Sequence, residues 1–333
     1  MNALTQTAAL LRGVPPERIG WSTGPLTWWR QARHRRLRRP VTLCLLERQR
    51  RGTRFADGQA FWFDERFRDV RTVVNRGVEE ADLVWVCTQD PLEPDARRAL
   101  EVDLARVRPG VPVLNPLESY DAYHRDDCFP RLEAAGVRVP RHVFGADDVG
   151  RTEVVYKRQG EQTSRKARAR YDGPRPGYRA FALVDGRGGD GRWRRYRAFH
   201  VAGAVFATDA IVSGGWEVGL ATLEDVEHVV ALTAHEREQV ALVAQTLGLD
   251  CFCVDLLRRR TDGLPVVVDV NVYPTTVVDE RVSRGFGDVG QWHCWDVPAR
   301  AGLAWADGVD PWRLVEAALL ARAAAPDRRS APA

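Results

Sequence analysis

The chain has 333 residues, 44% of them hydrophobic and 28% charged, and a net charge of +4. That length exceeds one typical domain of about 100–200 residues, so two or three packed units are expected. The composition excludes a disordered or collagen-like chain, and so small a net charge demands no anionic partner. All but two of the 49 basic residues are arginine. In such a chain Lys157 and Lys166 mark places where a compact ammonium suits and a planar guanidinium fork does not.

Residues 1–40 read as an N-terminal extension, with Trp21, Trp28 and Trp29 beside a basic run from Arg30 to Arg39. Arginines beside aromatics can grip nucleic acid or an acidic membrane surface. In so Arg-rich a chain, the run reads instead as a solvated helix face, and nucleic acid is not the expected partner. From Val41 the texture changes. Val41–Leu46, Ala81–Cys87 and Val111–Leu114 are short apolar runs of buried-strand type. Pro94–Arg108 carries helical apolar spacing through Ala96, Leu100, Leu104 and Val107. Strands alternating with helices predict a parallel α/β sheet. No Gly-rich phosphate loop follows these strands, which argues against a dinucleotide-binding unit. Residues 127–136 read as a short helix stopped by Gly136, and about 152–212 as β-rich sequence with Gly and Arg turns. Thr233 and Glu236 then form a capping-box pattern. Val240, Val243, Ala244 and Leu247 give the helix behind it an apolar face, and Gly248 gives it a stop.

The six cysteines are scattered, and no secretory signal or apolar run near 18 residues is present. A reduced, cytoplasmic protein with free thiols and no membrane association is expected. Cys251 and Cys253 lack a second pair at zinc spacing and read as alternate residues of a strand.

The stretch from Asp250 to Thr276 is the most informative. Two apolar, β-branched runs flank Thr261-Asp262-Gly263, which predicts a hairpin. Folding about that turn sets Asp255 opposite Asp269 or its neighbour. Asp269 and Asn271, two apart, share one strand face, with Val268, Val270 and Val272 on the other. Pro274 ends the strand. Two acids facing each other across a strand pair repel. A divalent cation between them relieves the repulsion, and two carboxylates with an amide oxygen are hard ligands suited to Mg²⁺.

The pattern Asp255 … Asp269-Val-Asn271-Val-Tyr-Pro274 resembles the metal-binding signature of the ATP-grasp enzymes. The closest likeness is to the ribosomal-protein glutamate ligase, glutathione synthetase and D-alanine ligase branches. Other segments resemble the family in the same order. His124-Arg125-Asp-Asp resembles the entry to the nucleotide domain, where a basic residue touches phosphate. Val154-Val-Tyr-Lys157 resembles the strand whose lysine reaches the nucleotide, and Phe181-Ala182-Leu183-Val184 the hinge that pairs with adenine. Trp193 to Gly203 resembles the strand whose arginine, here Arg197, contacts the transferred phosphoryl. Two departures stand out. Asp269 stands where many members have Glu, and the segment 159–170 is basic and Gly-poor where the family has a Gly-rich lid. Lys166 or Arg168 would then meet the triphosphate.

The resemblance implies an ATP-grasp fold, two α+β subdomains gripping ATP, preceded by a small parallel-sheet α/β domain. The implied division is an extension at 1–40, the preceding domain at 41–115, a nucleotide-binding subdomain at 116–200 and a C-terminal subdomain at 201–325. It implies ATP and Mg²⁺ as cofactors, with Asp255, Asp269 and Asn271 on the metal. Arg125, Lys157, Lys166, Phe181, Leu183 and Arg197 would bind ATP, and Arg197 and Asp269 would be catalytic. Arg281 and Arg284 could grip a substrate carboxylate. The activity implied is a carboxylate–amine ligase that works through an acyl phosphate and releases ADP and phosphate. Its partners are small-molecule carboxylates and amines, amino acid or peptide among them, and a homodimer is left open. The alternatives are a non-catalytic ATP-binding regulatory or scaffold protein, which the Gly-poor lid favours, and an Arg-rich nucleic-acid-binding protein. Trp292-His293-Cys294-Trp295-Asp296 reads as a packed aromatic segment, because adjacency in sequence does not bring a His and a Cys into catalytic reach.

Overall fold

The structure, a computed structural model, describes residues 41–48, 55–88, 92–124, 126–158, 166–219, 222–227, 230–272, 295 and 304–325. Three sheets organise them. The first is parallel, in the order β2-β1-β3-β4, from β1 (Val41–Leu46), β2 (Val70–Val74), β3 (Leu83–Val86) and β4 (Val113–Leu114). It carries α1 (Phe55–Arg66) between β1 and β2, and α2 (Pro94–Leu104) between β3 and β4. Strands of a parallel sheet are covered on both faces and so read as unbroken apolar runs. Here Leu43, Leu45 and Trp85 pack on the α1 side, and Cys44, Leu46, Val84 and Val86 pack with Leu100 of α2.

After α3 (Leu117–His124) and α4 (Cys128–Ala134) comes a three-stranded antiparallel sheet, β6-β5-β7. It is built from β5 (Glu153–Arg158), β6 (Lys166–Arg170) and β7 (Tyr178–Ala182). The third sheet has the order β10-β9-β8-β11-β12, from β8 (Trp193–Val201), β9 (Ala204–Ser213), β10 (Asp225–Glu227), β11 (Cys251–Arg258) and β12 (Pro265–Asn271). Residue 200 lies within β8, so both ends of the β8–β9 hairpin belong to this one sheet.

The even-numbered residues of β11, Phe252, Val254 and Leu256, pack under α5 (Ala234–Leu247). That helix opens on the Thr233–Glu236 capping box and ends at Gly248 with φ 67°, as its sequence predicts. The odd-numbered face of β8 and β11 is divided. Its apolar half, Phe199, Val201, Cys251 and Cys253, packs against the first sheet. Its polar half, Arg195, Arg197 and Asp255, turns toward the candidate site. Trp295 is buried where the first sheet meets the third, within 6.2 Å of the rings of Phe63, Phe199, Phe206 and Trp312. Trp312 belongs to α6 (Pro311–Ala324), a helix that the sequence reading left unassigned. His293 and Cys294 lie outside the described residues.

Asn115 clasps the first sheet to the third. It adopts φ 53°, a conformation that asparagine tolerates better than most residues. Its Oδ1 accepts from the backbone N–H groups of Asp250 and Cys251, both at 2.9 Å, and its Nδ2 donates to the Cys251 carbonyl at 2.6 Å. Asn115→Ala removes these bonds and leaves buried backbone groups unpaired. We expect a loss of about 2 kcal/mol or more in urea unfolding. Asn115→Gly, which keeps the backbone angle, should recover none of the hydrogen-bond part.

Five cysteines, Cys44, Cys87, Cys128, Cys251 and Cys253, are buried free thiols. Burial pushes the thiols of Cys44 and Cys128 up to about 11 and that of Cys253 up to about 12. Cys251 and Cys253 are alternate residues of β11, as expected. Among the described residues, no helix is long and apolar enough to cross a membrane.

Candidate active site

A cleft open to solvent, with an enclosed volume of about 90 Å³, lies between the second and third sheets. One wall comes from the three-stranded sheet, where strand alternation sorts the side chains. Val154 and Tyr156 of β5 point to a small core with Tyr171, while Val155 and Lys157 face the cleft with Lys166 and Phe181. The other wall is Arg195 of β8, Asp255 and Leu257 of β11, and Val268 and Asp269 of β12. Leu183 and Val184 close one end together with Trp216, Glu217 and Val218 from the loop after β9. Sequence patterning does not single out that loop. It brings a carboxylate, Glu217, to a hinge that has none of its own.

The hairpin pairs Asp255 directly with Asp269. A β-bulge follows, because the next register pair is Leu256 with Val267. Val268 is the extra residue, and this corrects its expected place. It lines the cleft beside Asp269, while Val267, Val270 and Val272 pack under α5. A bulge turns the strand locally and re-aims one side chain. Here it also presents the Val268 carbonyl to the cleft, where Lys157 Nζ donates to it at 2.7 Å.

The charge of the facing acids is offset by cations whose pairing with them the sequence argument did not weigh. Arg197 sets Nε and Nη2 against the two oxygens of Asp255, at 2.8 and 3.2 Å, and Arg195 Nη1 lies 3.2 Å from Oδ2. Burial raises the Asp255 carboxyl, but the two guanidiniums outweigh it and hold the group well below the usual carboxylate range. Lys157 Nζ is 3.9 Å from Asp269, and 5.5 and 5.9 Å from the rings of Phe181 and Phe129. Burial pulls the Lys157 ammonium below its ordinary value, and Asp269 partly restores it. The alternation Arg195-x-Arg197 was the sequence signal for this clamp.

Lys157 and Lys166 are register partners on β5 and β6, and both line the cleft with Phe181 and Leu183. The Ala182 and Leu183 N–H groups are committed to the carbonyls of Arg141 and Glu153, at 2.7 and 2.9 Å. The hinge therefore has the Val184 N–H left to offer a ligand. Arg197 stands beside Asp255 and is not part of the cleft wall. Arg125, Arg281 and Arg284 lie outside the described residues, as does Pro274.

Among the described residues, no cluster of three His, Cys, Asp or Glu side chains could hold a metal alone. Mg²⁺ asks for less, commonly one or two carboxylates plus substrate phosphates. The residues fit that demand. Asp255 and Asp269 both line the cleft, Asp269 with Lys157 at 3.9 Å, and the half-buried Asn271 lies two residues further along β12, outside the cleft wall.

The three sheets and their connections are those of the ATP-grasp fold, and this chain has that fold. The ATP-grasp ligase PsnB, solved with a minimal precursor, Mg and ADP, superimposes with a TM-score of 0.50 at 15% identity. The match covers 84% of this chain and 97% of PsnB. PsnB with the precursor peptide PsnA2 and AMPPNP gives 0.51 at 14% identity, over 86% and 98%. No protein-family model matches the chain, and no curated protein does.

Proposed function

We propose that the protein binds ATP with Mg²⁺ in this cleft and uses it to join a carboxylate to an amine. The carboxylate takes the γ-phosphoryl group to give an acyl phosphate and ADP. The amine then attacks the acyl carbon and expels phosphate, leaving an amide. The observation that carries this is the convergence of Lys157, Lys166, Asp255 and Asp269, from four strands of two sheets, beside an apolar hinge.

In this proposal Phe181, Leu183 and Trp216 enclose the base, and the Val184 N–H is available to pair with it. Lys157 and Lys166 offset phosphate charge from one wall. Arg197, through its hold on Asp255, sets the charge of the other wall. Asp269 and Asn271, with Asp255 across the hairpin, would hold Mg²⁺, which when bound neutralises and polarises phosphate oxygens. PsnB is solved with precursor peptides, and a peptide or amino-acid carboxylate is the substrate class we favour here. A reducing, cytoplasmic setting suits the five buried thiols.

Thermal unfolding with ATP, with and without Mg²⁺, tests the site. Ligand at about 100 times its dissociation constant adds roughly 2.7 kcal/mol, and a rise of several degrees that requires Mg²⁺ and disappears in Asp269→Ala is expected. No rise at millimolar ATP would remove the proposal. A second possibility, an ATP-binding regulator without turnover, draws on the neutralisation of Asp255 by two arginines. ADP release that depends on an added carboxylate and amine separates the two.

A further inference from the structure

A second cavity, with an enclosed volume of about 480 Å³, lies outside the cleft. That is room for an organic ion, since one water needs only about 10–15 Å³. Two chain segments supply most of its wall. One is 186–191, between the hinge and β8, and the other is 258–263, at the turn from β11 to β12.

The charge on that wall has one sign. Arg187, Arg194, Arg258, Arg259 and Arg260 line the cavity, and no acid does. Asp185, Asp190 and Asp262, interleaved with them in sequence, hold the guanidiniums instead. Asp185 pairs with Arg187 and Arg260, Asp190 with Arg194, and Asp262 with Arg259.

The pairing leaves donors over, because a guanidinium has five N–H groups. Arg187 meets its carboxylate through Nε and Nη2, as does Arg259, and Arg260 does so through Nε alone. The other terminal nitrogens can meet a ligand with no ion pair broken. Gly188 helps to set the geometry. A Cβ there would collide with Arg194 Nη1, so the lack of a side chain fixes where that guanidinium lies.

We propose that this cavity binds a small phosphate-bearing anion, at a site separate from the nucleotide cleft. A carboxylate pairs with one guanidinium fork, whereas a phosphoryl group turns three oxygens in different directions. Arginines arriving from two segments suit the second, and arginine is the residue of choice for phosphate. Only one layer divides the cavity from the cleft. Leu257, which lines the cleft, packs against Gly186, which lines the cavity just beyond the hinge.

Calorimetric titration with pyrophosphate, without metal and at low ionic strength, tests it on wild type and three variants. The double variant Arg259→Gln/Arg260→Gln should weaken binding roughly tenfold or more, two charge-assisted contacts being lost. Both side chains are exposed, and exposed ion pairs contribute little to the fold. Gly188→Ala keeps all five charges but displaces Arg194, and should weaken binding too. Lys157→Met, in the cleft, should leave it unchanged, and citrate should bind wild type more weakly than pyrophosphate does. A wild type that does not bind pyrophosphate overturns the proposal. So does binding lost in Lys157→Met and kept in the double variant, which would put the anion in the cleft. Undiminished binding in Gly188→Ala would reveal general charge attraction and no built site. Citrate bound as tightly as pyrophosphate would overturn the choice of phosphate.

Discussion

Replacing Lys157 with methionine is expected to remove turnover and most nucleotide affinity while leaving the fold at least as stable as before. The ammonium is four-fifths buried, with 19% of its side chain exposed, and its partners are one carbonyl, Val268 O, and a carboxylate at 3.9 Å. A buried charge so thinly compensated gains little for the fold, and a well-packed apolar replacement of similar length is often neutral or stabilising. Electrostatic contacts aimed at developing phosphate charge are typically worth about 2.7–4 kcal/mol of barrier, so ADP release should fall roughly 10²–10³-fold. The pH dependence has a definite sign. Burial sets the folded-state pKa of Lys157 below its unfolded value of about 10.4, so folding releases a proton between the two. Stability from this group therefore rises with pH across that alkaline window, and the rise should be missing in Lys157→Met. Urea midpoints and ADP release on one preparation decide the matter. A loss of stability matching the loss of activity would make Lys157 a clamp between the two walls instead.

Locally encoded features were legible in the sequence, and those that depend on long-range register were not. The β11–β12 hairpin is written in its turn, Thr261-Asp262-Gly263, and in the β-branched runs on either side, so the pairing of Asp255 with Asp269 could be counted out. The bulge at Val268 could not, because it exists only as a mismatch between two strands. Helix α5 announces itself through Thr233 and Glu236. Helix α1 does not: its sequence, Phe55–Arg66, has almost no amphipathic periodicity and contains Gly58, since α1 is wedged between the first sheet and Trp312. The rarity of lysine pointed to two residues that both line the cleft. Arginine, being everywhere, pointed nowhere. Arg195 is one of four arginines between Arg192 and Arg197, and only strand alternation and the position of Asp255 separate it from its neighbours. Trp216 and Glu217 come from a loop with no local mark of function, brought to the hinge by the length of β9.

Asp255→Asn is expected to destabilise the protein by about 3–5 kcal/mol in the absence of nucleotide and metal, the usual cost of removing one partner from a buried ion pair. Two different accounts of this residue predict opposite signs. Were Asp255 only a metal ligand, the metal-free protein would hold two facing carboxylates, and converting one to an amide would relieve their repulsion and raise stability. In the structure the repulsion is already answered, because Arg195 and Arg197 both bear on a carboxylate that is 4% exposed. The amide would leave those guanidiniums facing each other over a neutral group. The acid limb carries the same information. The folded-state pKa of Asp255 is depressed, so its contribution is present above the unfolded value of about 3.9 and is lost as pH falls through the folded one. Unfolding free energies at neutral pH and below pH 3 should therefore differ less in Asp255→Asn than in wild type. A variant as stable as wild type at neutral pH would show that the arginine clamp contributes nothing to the fold, and would return Asp255 to the single role of holding metal.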